Sequence, residues 1–174
     1  MTRKLFILAL GAAMLAGAAP RKATVNKLSP SANTSVKLGG TTVTIDYNAP
    51  SARNRKVEGG LVPYDSIWRA GADAATTLTT TGDLMIGDVH VPKGEYTLYV
   101  QASEKGWDLA INKQTGQWGT EYDKSQDLGR TAMKLAKLSA PAETLKIELS
   151  TAGKTGLLTM TWGSTKASVD IMAH

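Results

Sequence analysis

The sequence predicts an all-β protein, a single β-sandwich of about 8–11 short antiparallel strands in a jelly-roll or immunoglobulin-like arrangement. Three observations lead to this fold class. Apolar side chains recur at every second position from Thr41 onward, which is the period of a half-buried strand. Turns that contain Gly or Pro separate these runs at intervals of about 8–12 residues. The chain has 174 residues, the length of one domain, and shows no internal repeat.

The first 18 residues have the layout of a secretory signal peptide. Arg3 and Lys4 precede an apolar run over residues 5–16, and residues 16–18 read AGA, small side chains that suit a cleavage site. The run is shorter than the about 20 apolar residues that a membrane anchor needs. We therefore expect cleavage after residue 18, an exported protein (periplasmic or secreted) without a membrane span, and a single domain over residues 19–174.

The predicted strands begin with a short one before Gly39-Gly40 and continue as runs in which every second residue is apolar. Thr, Lys and Glu occupy many of the alternate positions, as is typical of the outer face of a sheet. The alternating apolar positions are Val43/Ile45/Tyr47, Tyr96/Leu98/Val100, Leu145/Ile147/Leu149, Leu158/Met160/Trp162 and Val169/Ile171. Gly87-Asp88 separates two further short runs and predicts a hairpin turn.

Two segments are less regular. The composition of residues 130–138 is compatible with a helix, but Met133 and Leu135 alternate with polar or small residues, and we expect a strand among strands. Residues 49–68 have no period and contain two Pro and a Gly-Gly pair. We expect an irregular excursion there, with one helical turn at residues 65–68.

Composition excludes several classes of chemistry. The chain has no Cys, so disulfides, thiolate nucleophiles, iron–sulfur clusters and Cys-ligated zinc are excluded. With only His90 and His174, a metal site built mainly of imidazoles is not expected either. The Gly-rich fingerprints of nucleotide-binding loops do not occur. The sequence therefore predicts no cofactor, no metal and no catalytic residue that can be named.

The charge balance is mildly basic. Residues 1–18 contain two of the 20 Lys and Arg and none of the 15 Asp and Glu, which leaves 18 basic against 15 acidic side chains. The densest basic group is Arg53, Arg55 and Lys56, which is either a solvated loop or an anion-binding patch. No aromatic residues interleave with the basic ones, so a nucleic-acid partner is not expected.

Four stretches of the chain resemble a known family. Residues 46–57 read DYNAPSARNRKV, residues 59–76 read GGLVPYDSIWRAGADAAT, residues 91–100 read VPKGEYTLYV, and residues 112–119 read NKQTGQWG. In this order and spacing they resemble domain-of-unknown-function family 2911, a group of exported bacterial proteins, over about residues 29–162. The resemblance implies export and a β-rich domain. It also indicates candidate functional residues in the segment 59–76, namely Tyr64, Trp68, Arg69, Asp73 and Thr76.

The candidate ligand-binding residues lie in the expected loops. Arg69 beside Trp68 and Tyr64 either anchors a ligand or, paired with Asp73, clamps the loop to the domain. Trp118, flanked by polar and Gly residues, either stacks on a flat ligand or closes the end of the sandwich. Nearby residues could supply hydrogen bonds to a ligand. The full candidate set is Tyr64, Trp68, Arg69, Asp73, Thr76, Asn112 and Trp118, with Glu121 and Tyr122 as further donors or acceptors.

Three functions remain open. The first is a non-catalytic module that binds an unidentified envelope ligand or protein partner through its loops. The second is a small carboxylate-dependent hydrolase of envelope carbohydrate or peptide, although nothing selects a pair among Glu58, Asp73, Glu95 and Glu121. The third is a structural or assembly protein with no ligand. A Ser-His-Asp triad is not expected, because no G-x-S-x-G motif occurs. The sequence does not indicate an oligomeric state.

Overall fold

The computed structural model of the protein describes residues 28–174, apart from the side chain of Ala152. The predicted signal peptide and the predicted start of the domain at residue 19 lie outside these residues. The described chain forms ten strands and a 3-10 turn (Lys124–Gln126). The strands are β1 (Ser31–Leu38), β2 (Thr41–Asn48), β3 (Ile67–Trp68), β4 (Thr76–Thr80), β5 (Leu84–Ile86), β6 (Val89–Val91), β7 (Gly94–Ala102), β8 (Trp107–Asn112), β9 (Asp127–Ala152) and β10 (Thr155–Ala173).

All strand pairs are antiparallel, and pairing is continuous in the order β1-β2-β4-β7-β8-β9-β10-β5-β6, with β3 on β7. The all-β class is confirmed, as are the strand at residues 130–138 and the hairpin around Gly87. The arrangement of this sheet as a sandwich stays a prediction. Among the described residues, no helix is long and apolar enough to cross a bilayer.

Two strands are much longer than the short strands expected from the sequence: β9 has 26 residues and β10 has 19. The first part of β9 pairs with β8 as far as Met133, and its remainder pairs with β10. The register between β9 and β10 shifts on both sides of Gly163, which has a φ of 56°. A Cβ on Gly163 would lie 2.7 Å from the Glu58 carboxylate, so the bend in β10 requires glycine there.

The tip of the β9–β10 hairpin contacts the β1–β2 turn and the end of β10. The main-chain N–H of Gly39, in the turn between β1 and β2, donates to the carbonyl oxygen of Gly153 (3.1 Å). The N–H of Ala173, at the end of β10, donates to the carbonyl oxygen of Lys154 (3.0 Å). The hairpin therefore curls until its tip meets its own last residue.

The apolar positions of the alternating runs form one hydrophobic cluster, to which strands along the whole sheet contribute. Most of these side chains are buried as predicted, and each such Leu, Ile or Val stabilises the fold by about 1.5–3 kcal/mol. Strand β7 differs, because Thr97 and Tyr99 are buried together with Tyr96, Leu98 and Val100. Both faces of β7 are therefore covered, and its interpretation as a half-buried strand was wrong.

The segment between β2 and β4 covers residues 49–75. Irregular chain was predicted for residues 49–68, and it extends seven residues further, while the helical turn expected at residues 65–68 is wrong. Ile67 and Trp68 instead form β3, which pairs with Gln101 and Val100 of β7. The non-glycine residues with left-handed φ in the described chain all lie in this segment: Arg53, Asn54, Asp65, Ala70 and Asp73. Such backbone is costly and concentrates at functional sites in proteins.

Candidate functional site

A cavity of about 570 Å³ opens where the irregular segment meets β10 and residues 119–122. Its walls carry apolar, aromatic and charged side chains, among them Leu61, Trp68, Arg69, Asp73, Tyr122 and Trp162. Ligand sites in proteins have volumes of about 300–1,000 Å³ and combine an apolar lining with a few polar groups. The cavity therefore has the size and composition of a small-molecule site.

One wall of the cavity is a pair of tryptophans. Trp68 on β3 and Trp162 on β10 are buried, and their rings stack with centroids 5.8 Å apart. The indole N–H of Trp162 donates to the carbonyl oxygen of Glu143 (3.1 Å), which fixes its orientation. Because both rings belong to the hydrophobic cluster, this wall is a rigid part of the core.

Arg69 follows Trp68 directly and is half-buried. Its Nε–H donates to the carbonyl oxygen of Gly71 (3.3 Å), which is its one hydrogen bond to the described residues. Its aliphatic part packs on Gly119, since a Cβ there would lie 2.6 Å from Cδ of Arg69. A guanidinium has five N–H donors, so four remain after this bond. The side chain is held in place while most of its donors stay available to a ligand.

Arg53 and Arg55 also line the cavity, so two of the three residues of the basic group lie at this site. Nη2 of Arg53 donates to the carbonyl oxygen of Leu28 (2.7 Å). Nε and Nη2 of Arg55 donate to the carbonyl oxygens of Ala52 and Ser51 (both 2.9 Å). A neutral carbonyl satisfies a donor without cancelling its charge, but both side chains are exposed, so solvent screens much of the charge that they add to the cavity.

A polar network supports the far side of the cavity. The Tyr122 hydroxyl donates to Oδ2 of Asp127 (2.7 Å) and accepts from Arg130. Arg130 also pairs with Asp127 (2.9 Å) and donates to Gln101. Burial, followed by the hydrogen bond to Asp127, raises the pKa of Tyr122 to about 12. Tyr122 is therefore a neutral phenol at physiological pH and keeps its role as a donor.

Residues 113–126, which we call the covering segment, lie over the second face of β7. Gln117 Nε2 donates to the hydroxyls of Thr97 (3.2 Å) and Tyr99 (3.1 Å). Those hydroxyls donate in turn to the carbonyl oxygens of Gln114 (2.7 Å) and Glu121 (3.1 Å). These bonds explain why β7 is buried on both faces, and they place residues 119–122 against the cavity.

The structure brings three of the predicted ligand-binding residues together at the cavity, namely Trp68, Arg69 and Asp73. Tyr64 is half-buried and packs against the core, with its ring next to Gly59. Trp118 is 52% exposed, forms a bridge with Ala74 and precedes Gly119, which lines the cavity.

The remaining two predicted residues are fully buried in hydrogen bonds to the protein itself. The Thr76 hydroxyl donates to the carbonyl oxygen of Ala70 (3.0 Å). Asn112 Nδ2 donates to the carbonyl oxygen of Asp123 (2.8 Å) and to Asp127 (2.9 Å), and its Oδ1 accepts from the N–H of Gln114 (2.9 Å). Both residues hold loops that border the cavity and do not line it.

Trp162 and Arg130 belong to the site although their sequence context does not indicate it. The alternation of β10 assigns Trp162 to the core, and it does lie there, but nothing local indicates that Trp68 stacks on it. Arg130 lies in an ambiguous segment, and its partners come from β7 and from the covering segment.

Two carboxylates lie behind the lining of the cavity, because Glu143 Oε1 accepts from the main-chain N–H of Arg53 (2.7 Å) and Asp127 Oδ2 accepts from the Tyr122 hydroxyl (2.7 Å). Among the residues described as lining the cavity, Asp73 is the one carboxylate, opposite three arginines. Within residues 28–174, no group of three or more His, Asp or Glu side chains is placed to hold a metal ion. His90 and His174 do approach each other, with ring centroids 5.5 Å apart, but they do not line this cavity.

Comparison with known proteins gives one match. The family model described as protein of unknown function (DUF2911) matches residues 29–171. This confirms the resemblance seen in the sequence and extends it along β10 as far as residue 171. No curated protein and no solved structure matches the chain.

Proposed function

The chain belongs to the DUF2911 family of proteins of unknown function, and we propose that it is an exported, non-catalytic module that binds a small ligand in the cavity beside Trp68 and Arg69. The cavity carries this proposal. It combines a rigid aromatic wall with an arginine whose stem is fixed and whose terminal donors remain available. Preorganised groups of this kind lower the entropic cost of binding.

The single carboxylate among the described lining residues supports ligand binding over hydrolysis. A glycosidase needs two carboxyl groups about 5–10 Å apart, one to donate a proton and one to attack or to activate water. Asp73 is the one carboxylate among the described lining residues. A purely structural protein, on the other hand, has no need to hold an arginine at the mouth of a cavity of about 570 Å³. A protein that binds a ligand without catalysing a reaction accounts for both the single carboxylate and the arginine at the cavity.

Export is part of the proposal and rests on the pattern of residues 1–18. Expression in a bacterial host with separation of the periplasm, medium and cytoplasm tests it. We expect the exported protein to begin at Ala19, as read by intact mass or N-terminal sequencing. Retention of Met1 on a cytoplasmic protein would contradict this part alone.

Ligand binding is tested by thermal unfolding of the purified protein with a panel of envelope glycans, peptides and small organic acids. A ligand at 100 times its Kd stabilises by about 2.7 kcal/mol, which for a domain of this size raises Tm by about 5–10 °C. Thr120→Trp obstructs the cavity from an exposed lining position and should abolish the shift. Thr115→Trp, equally exposed on the covering segment but outside the lining, is the matched control.

The proposal fails if no compound raises Tm, or if Thr120→Trp and Thr115→Trp respond to the ligand equally. Turnover of a bound carbohydrate or peptide, detected by mass spectrometry of the mixture, would instead favour the hydrolase. Because both substitutions replace exposed side chains, both variants are expected to fold.

A further inference from the structure

We propose that the ligand is an amphiphilic anion, a molecule whose acid group is bound by Arg69 and whose apolar body fills the cavity beside Trp68 and Trp162. This inference rests on the proposed binding function and adds the chemical class of the ligand. Three features of the cavity support it: the donors of Arg69, the charge of the lining, and the size and surface of the walls.

The donors of Arg69 favour an acid group that presents two adjacent oxygens. With Nε bonded to Gly71 and the stem packed on Gly119, the two terminal amino groups carry the N–H donors that remain. Two parallel N–H donors match the oxygens of a carboxylate, phosphate or sulfonate in a bidentate pair. Because the side chain is half-buried, water competes less for these donors than at an open surface.

The charge of the lining favours the same class of ligand. The described lining residues include three arginines and one aspartate, a formal excess of two positive charges. The guanidinium groups of Arg53 and Arg55 donate to main-chain carbonyl oxygens, but both are exposed and the Glu143 carboxylate lies at the main-chain N–H of Arg53 (2.7 Å). The half-buried Arg69 therefore contributes most of the attraction for an anion. A cationic ligand would meet repulsion here, whereas an anion gains from all three side chains.

The volume and walls of the cavity require more than an inorganic anion. A volume of about 570 Å³ is many times the about 30 Å³ that one water molecule occupies in the liquid. Leu61, Ile67, Trp68 and Trp162 line it beside the arginines. Apolar surface of this kind gains little from a fully hydrated ion and much from an aromatic or aliphatic body. The two kinds of lining together select a molecule with one acidic and one apolar part.

A matched pair of fluorescent probes tests the inference. 8-Anilinonaphthalene-1-sulfonate and N-phenyl-1-naphthylamine share one ring system and differ by the sulfonate, and both fluoresce strongly when they leave water. We expect one sulfonate probe per protein, bound at least tenfold more tightly than the neutral probe. Arg69→Gln should weaken the sulfonate probe at least tenfold and change the affinity of the neutral probe less than twofold.

Three further variants distinguish binding in the cavity from binding elsewhere on the protein surface. Arg69→Lys keeps the charge but loses the planar fork, so we expect an affinity between those of the wild type and Arg69→Gln. Lys166→Gln removes an exposed cation on β10 outside the lining and should leave both probes unchanged. Thr120→Trp should block both probes. Circular dichroism of each variant verifies that the fold is retained.

Each contrary result has its own meaning. Equal affinity for the two probes, unchanged in Arg69→Gln, overturns the anionic ligand while the binding function stands. Sulfonate binding that survives Thr120→Trp takes place outside the cavity and overturns the inference. Failure of both probes to bind overturns the amphiphilic class, and the binding function then depends on the thermal panel alone.

Discussion

The indole rings of Trp68 and Trp162 stack with their centroids 5.8 Å apart and their planes at 23° to each other. One ring comes from the two-residue strand β3 and the other from the long strand β10, next to its bend at Gly163. The contact joins the irregular segment to the core of the sheet. The wall of the cavity is therefore built from the same side chains that stabilise the fold.

Loss of the stacked pair should cost stability as well as the cavity wall. Trp162→Ala removes a buried side chain and its hydrogen bond to Glu143, and we expect a loss of about 3–5 kcal/mol in the free energy of unfolding. Urea denaturation followed by circular dichroism measures it. Trp118→Ala, at a side chain that is 52% exposed, is the control and should cost less than about 1 kcal/mol. Similar losses in the two variants would show that the stacked pair is not a structural element.

The packing of Gly119 on Arg69 should control the site directly. A Cβ at residue 119 would lie 2.6 Å from Cδ of Arg69 and 2.7 Å from the carbonyl oxygen of Asp73. We expect Gly119→Ala to displace Arg69, to cost about 1–3 kcal/mol and to weaken the sulfonate probe. Gly106→Ala is the matched control, because a Cβ there meets no atom within 4 Å. If Gly119→Ala binds the probe as the wild type does, the position of Arg69 is not critical.

The raised pKa of Tyr122 predicts a pH dependence of stability. The pKa is about 12 in the folded protein and about 10 in the unfolded chain. Between pH 10 and pH 12 the Tyr122 hydroxyl is ionised in the unfolded chain but neutral in the folded protein. The stability that the raised pKa contributes is therefore complete below pH 10 and is lost as the pH rises toward 12. We expect the wild type to lose more stability than Tyr122→Phe between pH 9 and about pH 11, as measured by urea denaturation.

The comparison with Tyr122→Phe isolates this one group. Burial also raises the pKa values of Tyr96 and Tyr99, but those residues contribute equally in both proteins. Tyr64→Phe leaves the network of Tyr122, Asp127 and Arg130 intact and should keep the wild-type pH dependence. Parallel pH profiles for the wild type and Tyr122→Phe would contradict the prediction.

Asn112 should prove structural, despite its place among the ligand-binding candidates. It is fully buried and makes three hydrogen bonds that connect β8 to the covering segment and to Asp127. Asn112→Ala leaves those partners unsatisfied, and we expect a loss of about 2–4 kcal/mol. Probe affinity at a temperature where the variant is folded should stay within a few-fold of the wild type. Asn33→Ala, on the exposed side of β1, should change stability by less than about 0.5 kcal/mol.

The parts of the structure that depend on local periodicity could be predicted. Alternation identified the buried residues of β2, of the later part of β9 (Leu145 and Ile147) and of β10, because one face of these parts packs on the core, whereas Leu135 in the earlier part of β9 is 43% exposed. The loop origin of the site could be predicted in part, since residues 49–68 have no period, whereas the irregular chain that carries Arg69 and Asp73 extends beyond them.

The parts that depend on contacts between distant segments could not be predicted. The covering segment buries Tyr99, although its own sequence is polar and without a period. The stacking of Trp68 on Trp162 depends on the bend in β10, whose local signal is a single glycine. Thr76 and Asn112 are polar and were assigned to a ligand, whereas the folded chain itself provides their partners. Polar residue types in a loop do not distinguish these two roles.

The contacts of Gly39 with Gly153 and of Lys154 with Ala173 have a consequence for how the chain acquires its structure. Gly39 and Gly153 are 114 positions apart, so their contact cannot form before most of the intervening chain is ordered, whereas Lys154 and Ala173 are 19 positions apart. The conformational entropy of such a closure is lost before the favourable contacts that offset it have formed. Proteins with many non-local contacts of this kind fold slowly, on a time scale of about milliseconds to seconds.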